Sequence, residues 1–390
     1  MATALGRAVR VGVIGTGFAG GSHVEALRRV PGVDVAALAG SSEDRARAAA
    51  DRLGVPAARG DYRTLLEAPE IDAVHNCTPN DLHHEVTAAA LAAGKHVLAE
   101  KPLAMDSAET ADLVGRAERA GTVTGVCFNY RHYPLVAEAR AMLADGRAGP
   151  PHLIRGAYLQ DWLLEPADWN WRLESERSGA SRAIGDIGSH WMDLIQHVTG
   201  RCIARVYARL GRLHEERLRP AGPSQTFDRG DGADAERVAV DTEDFATVLF
   251  ELDGGCPGVF TVSQVTPGRR NAVVFEIDAG AVSLAWDQEH PNALRIGRRD
   301  RPNEVLVRDP ALLSPAAAAL AHYPGGHEEG WPDGLKNLFL DFYAAVEAHG
   351  RGAEHASSVA TFADAHRITC MVEAILESHR EDRWVEVVAT

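Results

Sequence analysis

The sequence predicts an α/β chain of two domains, the first built on a parallel sheet and the second an α+β domain on an open, mostly antiparallel sheet. Three observations carry this. The 390 residues exceed the roughly 100 to 200 of a typical single domain. Over the first 130 residues, short β-branched runs alternate with Ala-rich amphipathic stretches, the rhythm of βαβ units. Beyond about Arg131 that rhythm stops, and strand-like runs follow one another without long helices between them.

In the first part, Val9 to Ile14, Val33 to Leu38, Ala73 to Cys77, His96 to Ala99 and Val123 to Phe128 read as strands. Helical stretches alternate with them at Phe18 to Arg29, Glu43 to Leu53, Leu82 to Ala93 and Ser107 to Ala120. A helix near Leu135 to Leu143 and a strand at His152 to Gln160 lead into a polar, Trp-rich loop. A helix at Ile184 to Val198 is followed by strands at Phe245 to Leu252, Val259 to Val265, Ala272 to Ile277 and Ala281 to Trp286. Between them, His214 to Val238 is rich in Gly, Pro, Arg and Asp and reads as a mobile surface excursion. The chain closes on helices near Gly334 to Ala348 and Ser358 to Ser378 and a short strand at Trp384 to Val388. The expected domains are residues 1–130 and 131–390.

Composition narrows the function. With 45% hydrophobic and 24% charged residues and no apolar run near the ~20 residues of a bilayer span, a soluble chain without a membrane partner is expected. The opening MATALGRAVRVGVIG lacks the apolar stretch of a secretory signal, and a cytoplasmic location follows as an expectation. Forty basic against fifty-five acidic side chains, a net charge of −15, disfavour nucleic acid. Cys77, Cys127, Cys202, Cys256 and Cys370 form no CxxC pair and read as reduced core thiols rather than a zinc site or disulfide framework.

Gly15-Thr16-Gly17-Phe18-Ala19-Gly20 follows directly on the first strand and opens a helix. Gly15 permits the tight turn, Gly17 lets the backbone approach a pyrophosphate, Gly20 allows close helix packing, and the helix N-terminus attracts the anion. The acid that holds a ribose 2′-hydroxyl belongs at the end of the second strand. It is missing: Asp34 sits at the wrong end, and Gly40, Ser41 and Ser42 occupy the place. Ser41, Ser42 and Arg45 offer donors and a counter-charge for a 2′-phosphate, which leans the cofactor, NAD(P), toward NADP over NAD. The alternative is that Arg45 is a solvated helix residue.

Thr78-Pro79-Asn80-Asp81-Leu82-His83 and Glu100-Lys101-Pro102 each stand at the carboxyl end of a strand, where open α/β sheets bind ligands. Lys101 is there placed to reach a substrate. In Gly185-Asp186-Ile187-Gly188-Ser189-His190-Trp191-Met192-Asp193, a helix puts Asp186, His190 and Asp193 on one face among apolar neighbours. His190 with flanking carboxylates offers either a divalent metal site or a general acid/base. A closed set of histidine or cysteine ligands is absent, so the acid/base reading is preferred and no metal is expected.

Taken in order, these segments and the final Trp384 resemble the glucose-fructose oxidoreductase, inositol dehydrogenase and MocA (Gfo/Idh/MocA) oxidoreductase family over nearly the whole chain. The resemblance implies an N-terminal Rossmann domain and a C-terminal α+β domain that covers the active site and mediates self-association, as a dimer or a tetramer. It implies that hydride passes between nicotinamide and a carbinol carbon of a sugar, cyclitol or glycoside. His190 would exchange the hydroxyl proton, Lys101 would hydrogen-bond the same oxygen, and Asp186 would orient substrate or imidazole. Asn80, His83, Glu100 and Asn129 resemble positions lining the cofactor or site, and Trp171-Arg172 the aromatic and basic pair near the nicotinamide end. Tyr158-Leu159-Gln160-Asp161-Trp162 is similar to the run of sugar and glycoside dehydrogenases, and Tyr158, Asp161 and Trp162 are expected to meet a polyhydroxylated substrate. For Trp162 the alternative is a core residue. His327, in His322 to Trp331, resembles a residue of a loop bordering the pocket. Two departures from the family pattern stand out: the absent acid after the second strand, and Asp364-Ala365-His366, where a glycine is common. Rival readings are a keto-sugar-nucleotide reductase, a dihydrodiol dehydrogenase or a cofactor-binding regulator.

Overall fold

A computed structural model describes residues 7–222, 226–230, 232 and 234–388. The chain forms two compact units, one holding the residues up to Asn129 together with Pro332–His366, the other Tyr130–Trp331 together with the residues from Arg367 onward. The sequence reading has one boundary, at 130/131. The packing instead returns residues 332–366 to the first unit. The reason is the helix Trp331–Gly350, whose apolar face sets Phe339 4.7 Å from the His75 ring, while a bridge pairs Val126 with Ala360. An apolar helical stripe reads alike wherever it docks, so sequence alone does not assign it to a unit.

In the first unit, β1 (Val9–Ile14), β2 (Val33–Ala39), β3 (Ala57–Arg59), β4 (Ala73–Asn76), β5 (His96–Ala99) and β6 (Thr124–Val126) form one sheet. Its order is β3-β2-β1-β4-β5-β6 and every pairing is parallel. β4 is buried throughout and β1 nearly so, as strands covered on both faces must be. The helices α1 (Phe18–Leu27), α2 (Glu43–Leu53), α3 (Tyr62–Leu66), α4 (His83–Ala92) and α5 (Ser107–Ala120) lie along the chain between strands. The strand order reverses between β1 and β4, so the loops after these two strands border the crevice where such sheets bind ligands.

The second unit opens with α6 (Pro134–Ala144) and carries a nine-stranded sheet. Its strands are β7 (Pro151–Leu159), β8 (Ile203–Gly211), β11 (Phe245–Leu252), β12 (Pro257–Ser263), β13 (Ala272–Ala279), β14 (Ser283–Asp287), β15 (Ala293–Gly297), β16 (Glu304–Val307) and β17 (Val385–Glu386). The order is β16-β15-β14-β13-β7-β12-β11-β8-β17, with only β7 and β12 parallel. β11 alternates exposed and buried residues, the pattern of a sheet with one open face. On the covered face the helix Ser189–Thr199 sends Trp191 into the sheet, where its ring stacks on Phe260 at 4.5 Å and its N–H donates to the Val274 carbonyl at 2.9 Å. Gly156 makes this approach possible, because a Cβ there would lie 2.5 Å from the Trp191 indole nitrogen.

The expected mobile excursion instead contains a hairpin of β9 (Glu216–Arg219) and β10 (Glu236–Ala239), although residues 223–225, 231 and 233 lie outside the described ones. Arg217 of β9 is fully buried and bonds Asp244 at 2.7 Å and the Glu165 carbonyl at 3.1 Å. Polar composition concealed a side chain that anchors the segment. Among the described residues no helix is long and apolar enough to cross a membrane.

Candidate active site

The turn from β1 into α1 has the geometry a dinucleotide requires. Gly15 adopts φ +123°, and a Cβ there would fall 2.2 Å from the Cys77 carbonyl oxygen of the neighbouring loop. A Cβ on Gly20 would meet the Gly15 oxygen at 2.1 Å. Gly17, by contrast, faces open space, with nothing within 4 Å of a Cβ. It is the N-cap of α1 and makes no side-chain cap, so the helix N-terminus presents its partial positive charge to an anion. The residues present therefore fit a pyrophosphate.

At the end of β2 no acid appears: Asp34 pairs in register with Arg10, at the far end of both strands. Ser41, Ser42 and Arg45 are all exposed. The Ser42 hydroxyl is used to cap α2, accepting the Arg45 amide at 3.3 Å, while the Arg45 guanidinium donates to Ser41 Oγ at 3.4 Å. Gly40 beside them brings this pair to the glycine turn, since a Cβ on it would lie 3.1 Å from Thr16 Cγ2.

After β4, buried Asn76 takes the Thr78 hydroxyl at 2.7 Å and the Thr78 amide at 3.3 Å, fixing the loop that presents Pro79 and Asn80. His83 is buried rather than presented. Its Nε2 faces the Thr78 carbonyl at 2.8 Å and its Nδ1 the Pro102 carbonyl, so the ring braces one site loop against the other. Burial depresses its basicity, partly offset by those two carbonyls. Both nitrogens face loop carbonyls, and the single N–H of a neutral ring serves one of them at a time. Glu100 follows β5, and its Oε2 accepts the Lys101 amide at 3.1 Å. Lys101 is half-buried, and Asn129 is buried at the end of the unit's first segment.

In the second unit, residues Ile184–Gly188 form a π turn that runs into the helix Ser189–Thr199. The turn is fastened by Glu243, which accepts the Ser181 hydroxyl at 2.7 Å and the amides of Arg182 at 3.1 Å and Ile184 at 2.8 Å. Asp186 on this turn receives Gln264 Nε2 at 2.9 Å and pairs with Arg172 Nε at 3.4 Å. The His190 ring stands 5.1 Å from Tyr130 and 6.3 Å from Tyr158, edge-on to the first. Those two phenols lie 2.9 Å apart. Burial pushes the Tyr130 phenol up to about 12 and that of Tyr158 well above its usual range, and the Asp186 charge adds to both, which places Asp186 and His190 around the same tyrosine pair. Asp193 does not join them. It is buried against Arg131, at 2.8 Å, so the i, i+4, i+7 face of the sequence reading loses its third member to an ion pair.

Other expected residues are placed with equal definition. Trp171 carries Arg172 over its ring at 4.6 Å, and Asn170 fixes the Arg172 amide and guanidinium, each at 3.2 Å. The Tyr158 hydroxyl also donates to Asn271 at 2.6 Å, and Gln160 joins Asn271 at 3.2 Å and Trp162 Nε1 at 2.9 Å. Trp162 packs beside Leu163, Trp169, Leu173 and Val240, the core alternative of the sequence reading. Asp161 is bound by Arg270 at 2.8 Å and the Gly268 amide at 3.1 Å. His327 is exposed at a cavity of about 360 Å³ lined also by His290, Asn292 and Arg308, which neither Asp186 nor His190 lines. Tyr130, Asn271, Gln264 and Arg172's partner Asn170 support the site from positions that no motif marks. Among the described residues, the one His/Cys/Asp/Glu group spaced for a metal is His23, Glu100 and Cys127, which does not include His190.

Residues 9–128 match the oxidoreductase family described as an NAD-binding Rossmann fold, and residues 136–283 match the GFO/IDH/MocA C-terminal domain. The chain belongs to the Gfo/Idh/MocA oxidoreductase family. Levoglucosan dehydrogenase of Pseudarthrobacter phenanthrenivorans is 30% identical over 392 residues, covering 97% of this chain and 98% of that protein. An oxidoreductase domain protein from Kribbella flavida has a solved structure with a TM-score of 0.87 at 35% identity, over 98% of this chain and 99% of that one. A levoglucosan dehydrogenase in complex with NADH and L-sorbose has a TM-score of 0.87 at 28% identity, over 98% and 99%. This Gfo/Idh/MocA member is accordingly an NAD(P)-dependent oxidoreductase acting on CH–OH groups, with the parallel-sheet unit as its NAD-binding fold.

Proposed function

We propose that the protein moves a hydride to or from a carbinol carbon of a sugar, cyclitol or glycoside. The observation that supports this most is His190 and Asp186 gathered around the Tyr130–Tyr158 pair, in a chain whose other unit carries Lys101 at a strand end. When bound, the nicotinamide supplies the hydride acceptor or donor. As the carbinol C–H bond breaks, the hydroxyl proton goes to His190, whose imidazole suits exchange near neutrality. Lys101 hydrogen-bonds the same oxygen and stabilises its developing negative charge. Asp186, held by Arg172 and Gln264, keeps a fixed carboxylate for a substrate hydroxyl. Asn80, Asn129, Thr78, Trp171 and Arg172 line the cofactor side of this reading, and the cytoplasm is its proposed compartment.

For the cofactor we propose NADP over NAD, on the Ser41–Arg45 pair and the missing acid. Titration with NADH and NADPH, followed by nicotinamide fluorescence, tests this. NADPH is expected to bind more tightly, and Arg45→Ala to weaken NADPH about tenfold, the worth of one charge-assisted contact, while leaving NADH unchanged. Tighter NADH binding overturns the phosphate site, and no binding of either overturns the dehydrogenase reading. Oxidation of levoglucosan, supplied with each cofactor, is the first substrate assay.

The open face of the nine-stranded sheet leaves Phe245 and Leu249 of β11 39% and 44% exposed. We propose that a second copy covers it, in a dimer or tetramer. Sedimentation should give a species larger than one chain, and Leu249→Asp should shift it toward the monomer; a monomeric wild type overturns the assignment.

A further inference from the structure

Behind Glu100 the first unit buries a file of polar side chains. Glu100 Oε1 lies 2.9 Å from His23 Nε2, His23 Nδ1 lies 2.8 Å from His75 Nδ1, and His75 Nε2 lies 2.8 Å from the Tyr343 hydroxyl. The groups come from four places: His23 from α1, His75 from β4, Tyr343 from the helix Trp331–Gly350, and Glu100 from the end of β5. His23 and His75 are 1% and 0% exposed, and Phe339 packs edge-on against both rings at 4.9 and 4.7 Å. Burying three polar groups beside an aromatic cluster is costly unless each hydrogen has an acceptor.

The ends of the file decide where its hydrogens lie. Only one hydrogen fits between two facing Nδ1 atoms. Tyr343 has no other hydrogen-bond partner among the described residues, so its O–H is satisfied by donating to His75 Nε2. His75 then donates from Nδ1 to His23 Nδ1, and His23 donates from Nε2 to Glu100. The carboxylate end requires the same order, because it needs a donor. The reverse order would strand the phenol hydrogen and oppose two lone pairs at Glu100. Burial, with His23 adding to it, holds His75 well below the ordinary imidazole range, and burial lifts the Tyr343 phenol well above its own, so ring and phenol both stay neutral.

We propose that Tyr343, His75 and His23 are positioning residues, a one-way hydrogen-bond relay that fixes the Glu100 carboxylate and through it the turn carrying Lys101. The link is direct, since the other Glu100 oxygen accepts the Lys101 amide. This rests on the role given above to Lys101. Cys127 Sγ, 3.7 Å from His23 Nε2, makes a metal centre with His23 and Glu100 the competing use of the same atoms. A metal needs a thiolate and a bare Nε2, whereas burial pushes the Cys127 thiol well above its usual range and the relay keeps a hydrogen on Nε2.

The test is nitrogen-15 NMR of the full chain labelled at histidine, with metal analysis of the same sample. His75 is expected to carry its proton on Nδ1 alone and His23 on Nε2 alone at neutral pH. Tyr343→Phe, which removes the hydroxyl hydrogen donated to His75 Nε2, should shift the His75 Nε2 resonance while the Glu100 end keeps both tautomers in place. It should also lower kcat for levoglucosan about tenfold, with Tm and the Kd for NADH and NADPH nearly unchanged. Mixed tautomers or an imidazolium in the wild type, or a Tyr343→Phe variant with an unmoved His75 Nε2 resonance and unmoved kcat, overturn the relay. So does one equivalent of metal whose removal shifts the His23 nitrogens. If the wild type oxidises no sugar, the reading of Lys101 fails with the dehydrogenase reading, and the wild-type tautomers still decide the relay.

Discussion

His190→Ala is expected to lower kcat about 10²-fold or more while leaving the Kd for NADH and NADPH in place. The argument is by elimination among the groups the second unit gathers. Tyr130 and Tyr158 are buried phenols, the first with its ionisation pushed up to about 12 and the second well above its usual range, so near neutrality they donate hydrogen bonds and do not take up protons. Asp186 is engaged by Arg172 and Gln264. Asp193 is committed to Arg131. His190 remains as the side chain that can both take and return a proton in that range. The glycine turn and the Ser41–Arg45 pair belong to the other unit and contain none of these residues, hence the expected split between kcat and cofactor affinity. Turnover within a few-fold of wild type would show that the proton leaves by another group, and Lys101→Met would then be the variant to assay.

Much of the first unit was legible because its signals are local. β1, β5, α2 and α5 have the bounds expected from alternation and periodicity. The helix ends are written in single residues: Ser42 and Asp106 cap their starts through the amides of Arg45 and Glu109, and Gly54 and Gly121 close them in left-handed conformation. β3 and α3, three and five residues long, are too short to show a period and were not foreseen. Around the site, the sequence placed Asp186 and His190 on a helix but assumed one uniform helical spacing. The π turn at Ile184–Gly188 breaks that spacing, and Asp193 is decided by Arg131, 62 residues away. The same holds for Tyr158 and Asp161, whose polar atoms are occupied by Asn271 and Arg270 more than a hundred residues downstream. Hydroxyls and carboxylates in a family-like run announce chemistry; whether they face a ligand or a neighbour depends on contacts that no local pattern contains.

Asp244→Ala should destabilise the second unit by about 3–5 kcal/mol at neutral pH, the cost of removing one member of a buried charge cluster. Asp244 is fully buried between two fully buried arginines, bonding Arg182 Nη2 and, at 2.7 Å, Arg217 Nη2. Its second oxygen accepts the Leu213 amide at 2.6 Å. Without the carboxylate, two like charges face each other with no counter-charge between them. The damage would reach the site, because Arg182 also holds Gln264 at 3.0 Å and Gln264 holds Asp186. A urea titration of both proteins measures the difference, and the pH dependence identifies its source. Burial alone would raise the Asp244 carboxyl, but the Arg182 and Arg217 charges outweigh it and set it below the ordinary 3.8. A group depressed in the folded state contributes fully above its unfolded value and loses that contribution as pH falls through its folded one. The gap between wild type and Asp244→Ala should therefore be complete above about pH 4 and close in stronger acid, where protonation leaves the wild-type arginines as exposed to each other as in the variant. A neutral-pH gap under about 1 kcal/mol, the scale of a surface pair, would mean that Glu243 or solvent balances the two guanidinium groups and that Asp244 is not what holds them.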